Sequence, residues 1–204
     1  RKQLKQQMQA ILIAKENSVK VKINTVISSD NDISRIIKII QWANSHQIPI
    51  RVMNELNSGN QAISAANNLF QSLGAIQTKS ETYMGSSSIR STFIMPSGEE
   101  IGFKYIRPNY LKTMCTNCNL RNNGCTEKFY GVRLEKTSHN NADRFFIRLC
   151  LHNNGINSLL PFEEFLHSPQ LKEIQQNMQS ISDQILQNNL NFNSYNSKIN
   201  TVKI

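Results

Sequence analysis

The chain has 204 residues, 39% apolar and 18% charged, with 23 Lys and Arg against 14 Asp and Glu, a formal net charge of +9. That length allows one domain, or one and a small appendage, with a core large enough to fold. No apolar run approaches the roughly 20 residues that span a bilayer, and the 4 cysteines are too few and too clustered for a secreted disulfide scaffold.

The first residues, RKQLKQQMQAILIAKEN, carry a short apolar stretch with charge on both sides and no cleavage-site pattern, so they do not read as a secretory signal. A reducing cytosol is the expected compartment, and clustered thiols there are more often metal ligands than bridges. The positive charge invites a nucleic-acid reading. Its distribution argues against one, because Lys and Arg are scattered with no basic stripe and no recognition-helix signature. The heavy use of Asn and Gln reads as compositional bias, since apolar periodicity persists through most of the chain.

In chain order, Val19 to Ile27 alternates and is β-branched, which predicts a strand. Asp30, Asn31 and Asp32 supply a cap, and Ile33, Ile36, Ile37 and Ile40 recur at helical spacing up to Trp42 and Ala43. That helix is expected to stop near His46, because Pro49 disfavours helix in the residue before it. Ile48 to Leu56 reads as a second strand, dense in apolar residues. Ala62 to Leu73 then reads as a second helix ending at Gly74. Strand, helix, strand, helix with short connections is a βαβα unit and implies a parallel sheet. Further on, Ser91 to Met95 and Glu100 to Ile106 flank a Pro96-Ser97-Gly98 turn, a hairpin. Strand-like Tyr130 to Glu135 and Phe145 to Leu149 follow the cysteine segment. A turn at Pro161 to Leu166 then leads to a terminal helix of about 20 residues from Pro169, and the polar end is expected to be a flexible tail.

A parallel unit of two strands leaves both of its edges unpaired, and so small a sheet is marginal in water. The chain also begins with Arg and not Met. The first 75 residues are therefore expected to be the closing part of a larger parallel barrel or sheet, so that the chain is a fragment or one piece of a split protein.

Cys115-Thr116-Asn117-Cys118, with Cys125 and Cys150 further on, is the most informative feature. A Cys-x2-Cys knuckle directs two thiolates at one metal from a tight turn, and further cysteines complete the shell. Zinc and an iron–sulfur cluster are both open by spacing, and a disulfide pair is a third reading.

The order of VKINTVI, a helix, IPIRVMNEL, a helix, a hairpin ending IGFKYIRP, then CTNCN and finally IRLCL resembles the C-terminal half of the radical SAM GTP cyclase family of molybdenum-cofactor biosynthesis. The resemblance runs over residues 5–185 and rests on these motifs occurring in register. It implies the end of a partial, TIM-like (β/α) barrel followed by an α+β domain that holds an auxiliary 4Fe-4S cluster. Cys115, Cys118 and Cys150 match that cluster's three ligands. Lys22 and Asn24 on the first strand, Arg51 on the second and Arg133 beside the cluster match positions that face substrate. Lys and Arg on adjacent strands suit phosphate or carboxylate groups, Arg through its bidentate fork. An ordinary outward-facing strand residue is the plain alternative for Lys22.

The departures from that pattern carry weight. The family's Cys-x3-Cys-x2-Cys motif, which cleaves S-adenosylmethionine with a second 4Fe-4S cluster, does not occur in this sequence. Leu120 to Tyr130 intervenes after the knuckle and brings in Cys125, read either as a fourth cluster ligand or as a neighbouring free thiol. An expected Arg pair is reduced to Arg133, Asn54 stands in place of an acidic residue, and the chain ends TVKI, without the family's paired terminal glycines. These changes weaken GTP as substrate and admit a peptide or another small molecule.

The remaining candidates are plainer. Glu127 reads as a solvated loop carboxylate in preference to an acid–base residue, and His152 as a surface residue in preference to a cluster neighbour. His139 and His167 are not at ligand spacing, and Glu163 with Glu164 reads as the wet face of a short turn. The sequence thus predicts barrel units over residues 1–75, an auxiliary-cluster domain over 76–190 and a tail over 191–204. It would be the C-terminal portion of a cytoplasmic radical SAM lyase, inactive alone and dependent on a missing N-terminal half for S-adenosylmethionine chemistry. The rival from another class is a non-enzymatic, zinc-stapled binding module for an acidic partner or nucleic acid.

Overall fold

The computed structural model describes residues 2–83, 86–107, 109–121, 125, 127, 129–139, 142–152, 158–177 and 200–203. An opening helix α1 (Lys2–Glu16) leads to β1 (Ile23–Ile27), α2 (Ile33–Ser45), β2 (Ile50–Asn54) and α3 (Gly59–Ser72). Three strands follow, β3 (Ile76–Tyr83), β4 (Ser88–Ile94) and β5 (Glu100–Ile106), then a short helix α4 (Lys112–Cys115). The chain continues through β6 (Arg133–His139), β7 (Ala142–Arg148), β8 (Leu159–Pro161) and α5 (Phe162–Leu166). Helix α6 covers residues 169–177, and β9 is Asn200–Lys203.

The fold is mixed α/β. A six-stranded sheet runs in the order β1-β2-β5-β4-β3-β9, and a second sheet of three antiparallel strands runs β6-β7-β8. Among the described residues neither sheet closes into a barrel.

The βαβ unit forms as the sequence predicts, with β1 parallel to β2 and Asn24 opposite Arg51. Both strands are shorter than expected. Ser18 takes a left-handed backbone conformation (φ 60°), and the ladder begins only at Ile23, paired with Ile50. Helix α2 ends at Ser45 as Pro49 dictates, and Gly74 supplies the positive φ (62°) that terminates α3. Helix α3 begins at Gly59, ahead of the expected start at Ala62.

The expectation of two unpaired edges is corrected. The β4–β5 hairpin folds back so that β5 lies parallel to β2, with Ile50 opposite Ile101 and Val52 opposite Phe103. This leaves β1 as the edge strand of the parallel part. Asn54, at the end of β2, extends the ladder with its side chain. Its amide donates to the Ile106 carbonyl (3.1 Å), and its oxygen accepts from the Ile106 N–H (2.7 Å). The acidic residue expected there could accept the second bond but not donate the first.

One face of the large sheet is apolar. Ile27, Ile50, Val52, Phe93, Ile101 and Phe103 pack with Ile36, Ile40, Leu69 and Phe70 of α2 and α3 into one core. Phe70 stacks on Phe93 with ring centroids 3.8 Å apart. Alternation sends Asn24, Arg51, Gly102, Lys104, Thr92 and Arg90 to the opposite face. A second core of Leu111, Met114, Phe129, Ile147, Leu149, Phe165 and Ile174 joins the three-stranded sheet to α4 and α6, and it includes Cys115 and Cys150.

Helix α6 begins where the terminal helix was expected, with Pro169 in its first turn and the Ser168 hydroxyl accepting from the Leu171 N–H (3.1 Å). Its continuation past residue 177 lies outside the described residues. Within the expected tail, Asn200–Lys203 pair in parallel with Ser80–Tyr83, and residues 191–199 and 204 lie outside the described residues. No helix among the described residues is long and apolar enough to cross a membrane.

Candidate metal centre and polar sheet face

The cysteines come from three places in the fold. Cys115 ends α4, Cys118 follows one turn later with its N–H bonded to the Cys115 carbonyl (3.2 Å), and Cys125 bonds back to Leu120 (3.0 Å). Cys150 follows the end of β7. All four line one pocket of about 320 Å³, counting the space open at its mouth, together with Tyr110, Met114, Leu120 and Arg121. Cys115 and Cys150 are buried, whereas Cys118 and Cys125 are half-buried, and none of the four forms a disulfide. Burial pushes the Cys115 thiol up to about 11, and the other three cysteines push in the same direction.

As placed, no three His, Cys, Asp or Glu side chains among the described residues form a group that could hold a single metal ion. The donor set is nonetheless four soft sulfur ligands around one cavity. Arg121 lies over the Tyr110 ring at the wall of this pocket (5.3 Å to its centroid), a cation beside the thiols.

The knuckle is anchored from a distance. The Glu173 carboxylate, on α6, accepts from the Lys112 N–H (2.5 Å), the Thr113 N–H (3.0 Å) and the Thr113 hydroxyl (2.7 Å). These are donors of the first turn of α4, which has no partner for them within itself. The cysteine segment is also tied to the large sheet. Ser87 donates to the Tyr130 carbonyl from its N–H (2.9 Å) and to the Phe129 carbonyl from its hydroxyl (2.7 Å).

The expected substrate-facing residues divide into two groups. Lys22, Asn24 and Arg51 share the polar sheet face. Lys22 and Asn24 are exposed and Arg51 is half-buried. Partial burial, then the charges of Arg51 and Arg90, hold the Lys22 ammonium below the usual lysine value. Arg133, at the start of β6, pairs with Glu127 (2.6 Å) and lies over the Tyr130 ring (5.6 Å). This corrects the reading of Glu127 as a solvated loop carboxylate, because its side chain is only 12% exposed. His152, Glu163 and Glu164 are exposed, as expected, His167 is exposed as well, and the His139 side chain lies outside the described residues.

The structure adds Arg90, Lys104 and Tyr130. Lys104 is buried on the polar face, opposite Arg90 in the hairpin, and its ammonium donates to the Tyr130 hydroxyl. Hairpin register was the available signal. Counting outward from the Pro96-Ser97-Gly98 turn places Arg90 opposite Lys104, but the expected strand started at Ser91, one residue short.

No protein-family model, curated protein or solved structure matches the chain.

Proposed function

We propose that this chain is the C-terminal portion of a radical SAM iron–sulfur enzyme resembling the GTP cyclase of molybdenum-cofactor biosynthesis. In this reading β1, β2 and β5 are the last strands of a partial barrel, and their polar face is its interior. The open edge of β1 is where an earlier parallel strand pairs. Cys115, Cys118 and Cys150, with Cys125 as fourth ligand, hold an auxiliary 4Fe-4S cluster.

The observation that carries the reading is the shared pocket, with cysteines 35 positions apart in sequence brought to one cavity. A single zinc ion requires its thiolates about 2.3 Å from one point. Among the described residues no three such donors are placed for one ion, and four cysteines around one pocket match the ligand number of a 4Fe-4S core.

When bound through all four cysteines, the cluster would supply electron transfer or structural stabilisation. The chain's own residues would do the rest. Lys22 and Arg51 attract and orient the anionic part of a substrate from adjacent strands, and Asn24 offers it a neutral hydrogen-bonding group. Arg133 holds the end nearest the cysteine pocket. Asn54 is committed to Ile106 and takes no part. Hydrogen abstraction by the 5′-deoxyadenosyl radical would belong to the N-terminal half, which carries the S-adenosylmethionine site. The substrate is a small anionic molecule, nucleotide-like or a peptide.

The test is anaerobic reconstitution with ⁵⁷Fe followed by Mössbauer spectroscopy, alongside S-adenosylmethionine titration. The expected result is a cubane cluster and no binding of S-adenosylmethionine by this chain alone. A spectrum of unclustered iron would overturn the assignment.

A further inference from the structure

Lys104 is the most heavily buried lysine on the polar sheet face, at 8% exposure. A buried ammonium is costly unless an opposite charge compensates it. Its hydrogen-bond partner is instead a neutral phenol, the hydroxyl of Tyr130, and its nitrogen also lies 4.7 Å from the centre of that ring. The residue opposite it on β4 is another cation, Arg90. The same ring carries Arg133, whose guanidinium carbon lies 5.6 Å from the centroid. Arg133 uses Nη2 on Glu127, while its Nη1 is buried with no hydrogen-bond partner. An unsatisfied buried donor on a charged group is expensive, and native proteins rarely keep one without a use. Lys104 and Arg133 against Glu127 leave this group one positive charge in excess.

We infer that Lys104, Tyr130 and Arg133 form a seat for an oxyanion, a phosphate or a carboxylate, at the end of the polar face nearest the cysteine segment. Lys104 supplies charge and a hydrogen bond, the Tyr130 hydroxyl supplies a second, and Nη1 of Arg133 a third. The Tyr130 ring holds both cations at its surface, so that Lys104 needs no carboxylate of its own while Arg133 keeps Glu127. On β5 Lys104 lies two residues beyond Gly102, the partner of Arg51, so a substrate that reaches from Lys22 and Arg51 to this seat carries anionic groups at both ends. This rests on the reading above in one respect, that Arg133 faces substrate.

The experiment is isothermal titration calorimetry of the full chain at low ionic strength, with inorganic phosphate in one arm and succinate in the other. Saturable binding of either is expected, and the tighter of the two identifies the group. Lys104→Met and Tyr130→Phe should each weaken it, Lys104→Met by roughly tenfold, as for one charge-assisted hydrogen bond. Unchanged affinity in Lys104→Met, or no binding of either probe by the unaltered chain, would overturn the assignment. If Lys104→Met fails to fold by circular dichroism, Lys104→Arg should retain binding and Tyr130→Phe decides, an unchanged affinity counting against the seat. Lys22→Met reports on the separate anion position. Loss of binding there with none in Lys104→Met would leave the proposed function standing and remove this inference.

Discussion

Glu173 and Thr113, 60 residues apart in sequence, are joined by two hydrogen bonds, in which the carboxylate accepts from the Thr113 backbone N–H at 3.0 Å and from its hydroxyl at 2.7 Å. The terminal helix thereby caps the short helix that ends at Cys115. A four-residue helix has no stability of its own, so the knuckle's geometry depends on this distant carboxylate and on the packing of Ile174 beside it.

Glu173→Ala should therefore cost about 1–2 kcal/mol, the range for loss of a helix cap, read as a lower urea midpoint. Burial works to raise the Glu173 pKa, but the hydrogen bonds from Thr113 and Lys112 outweigh it, and the net shift is downward. The stabilisation is then fully present above the unfolded glutamate value of about 4.3 and is lost as pH falls through the lower folded value. The difference in midpoint between Glu173→Ala and the unaltered chain should shrink on acidification. A constant difference would contradict the cap.

Asn54→Ala removes both bonds to Ile106 and leaves a backbone N–H and a carbonyl without their partners at the β2–β5 junction. A destabilisation of about 1–3 kcal/mol is expected, measured by thermal or chemical unfolding. Asn54→Asp should be no better, because a carboxylate would face the Ile106 carbonyl that Asn54 now donates to.

Partial burial and the like charges of Arg51 and Arg90 disfavour the Lys22 ammonium in the folded chain. Because its folded pKa is lowered, stability is reduced at neutral pH and recovers as pH rises through that value. Lys22→Met should raise the Tm by about 1–2 °C, within the range of surface substitutions, while weakening binding of an anionic substrate. Differential scanning fluorimetry with and without inorganic phosphate would show both effects, and phosphate should raise the Tm of the unaltered chain more than that of the variant.

Much of the parallel unit and the β4–β5 hairpin could be read from the residues alone, because both are local. Isoleucine periodicity marks α2, and the Pro96-Ser97-Gly98 turn marks the hairpin. What could not be read depended on distant pairing. Strand β3, with the sequence IQTKSETY, has few apolar residues and is held by β4 on one side and Asn200–Lys203 on the other. Helix α1 has a weak apolar face that leaves little periodicity to read, although Ile11 packs against the main core. The return of β5 to β2 is invisible to periodicity, since both strands alternate equally well with any partner. In the candidate site, Cys115, Cys118, Cys125 and Cys150 were identified by spacing and type. Lys104 and Tyr130 were not, since a buried lysine carries no mark in sequence until a sheet face is assigned.

The cysteines make separable predictions. Cys150→Ala should abolish cluster assembly, because it removes one of the two buried thiols at the pocket. Cys125→Ala should retain a cluster with one iron open to exogenous imidazole, seen as a change in its electron paramagnetic resonance spectrum. Identical behaviour of the two variants would argue against their different roles.

The most direct test is metal analysis of the chain purified and reconstituted without oxygen. Roughly four iron and four sulfide per chain are expected, with a brown colour and absorbance at about 400 nm. One tightly held zinc ion per chain, with no iron retained, would contradict the cluster and return the cysteines to a structural staple.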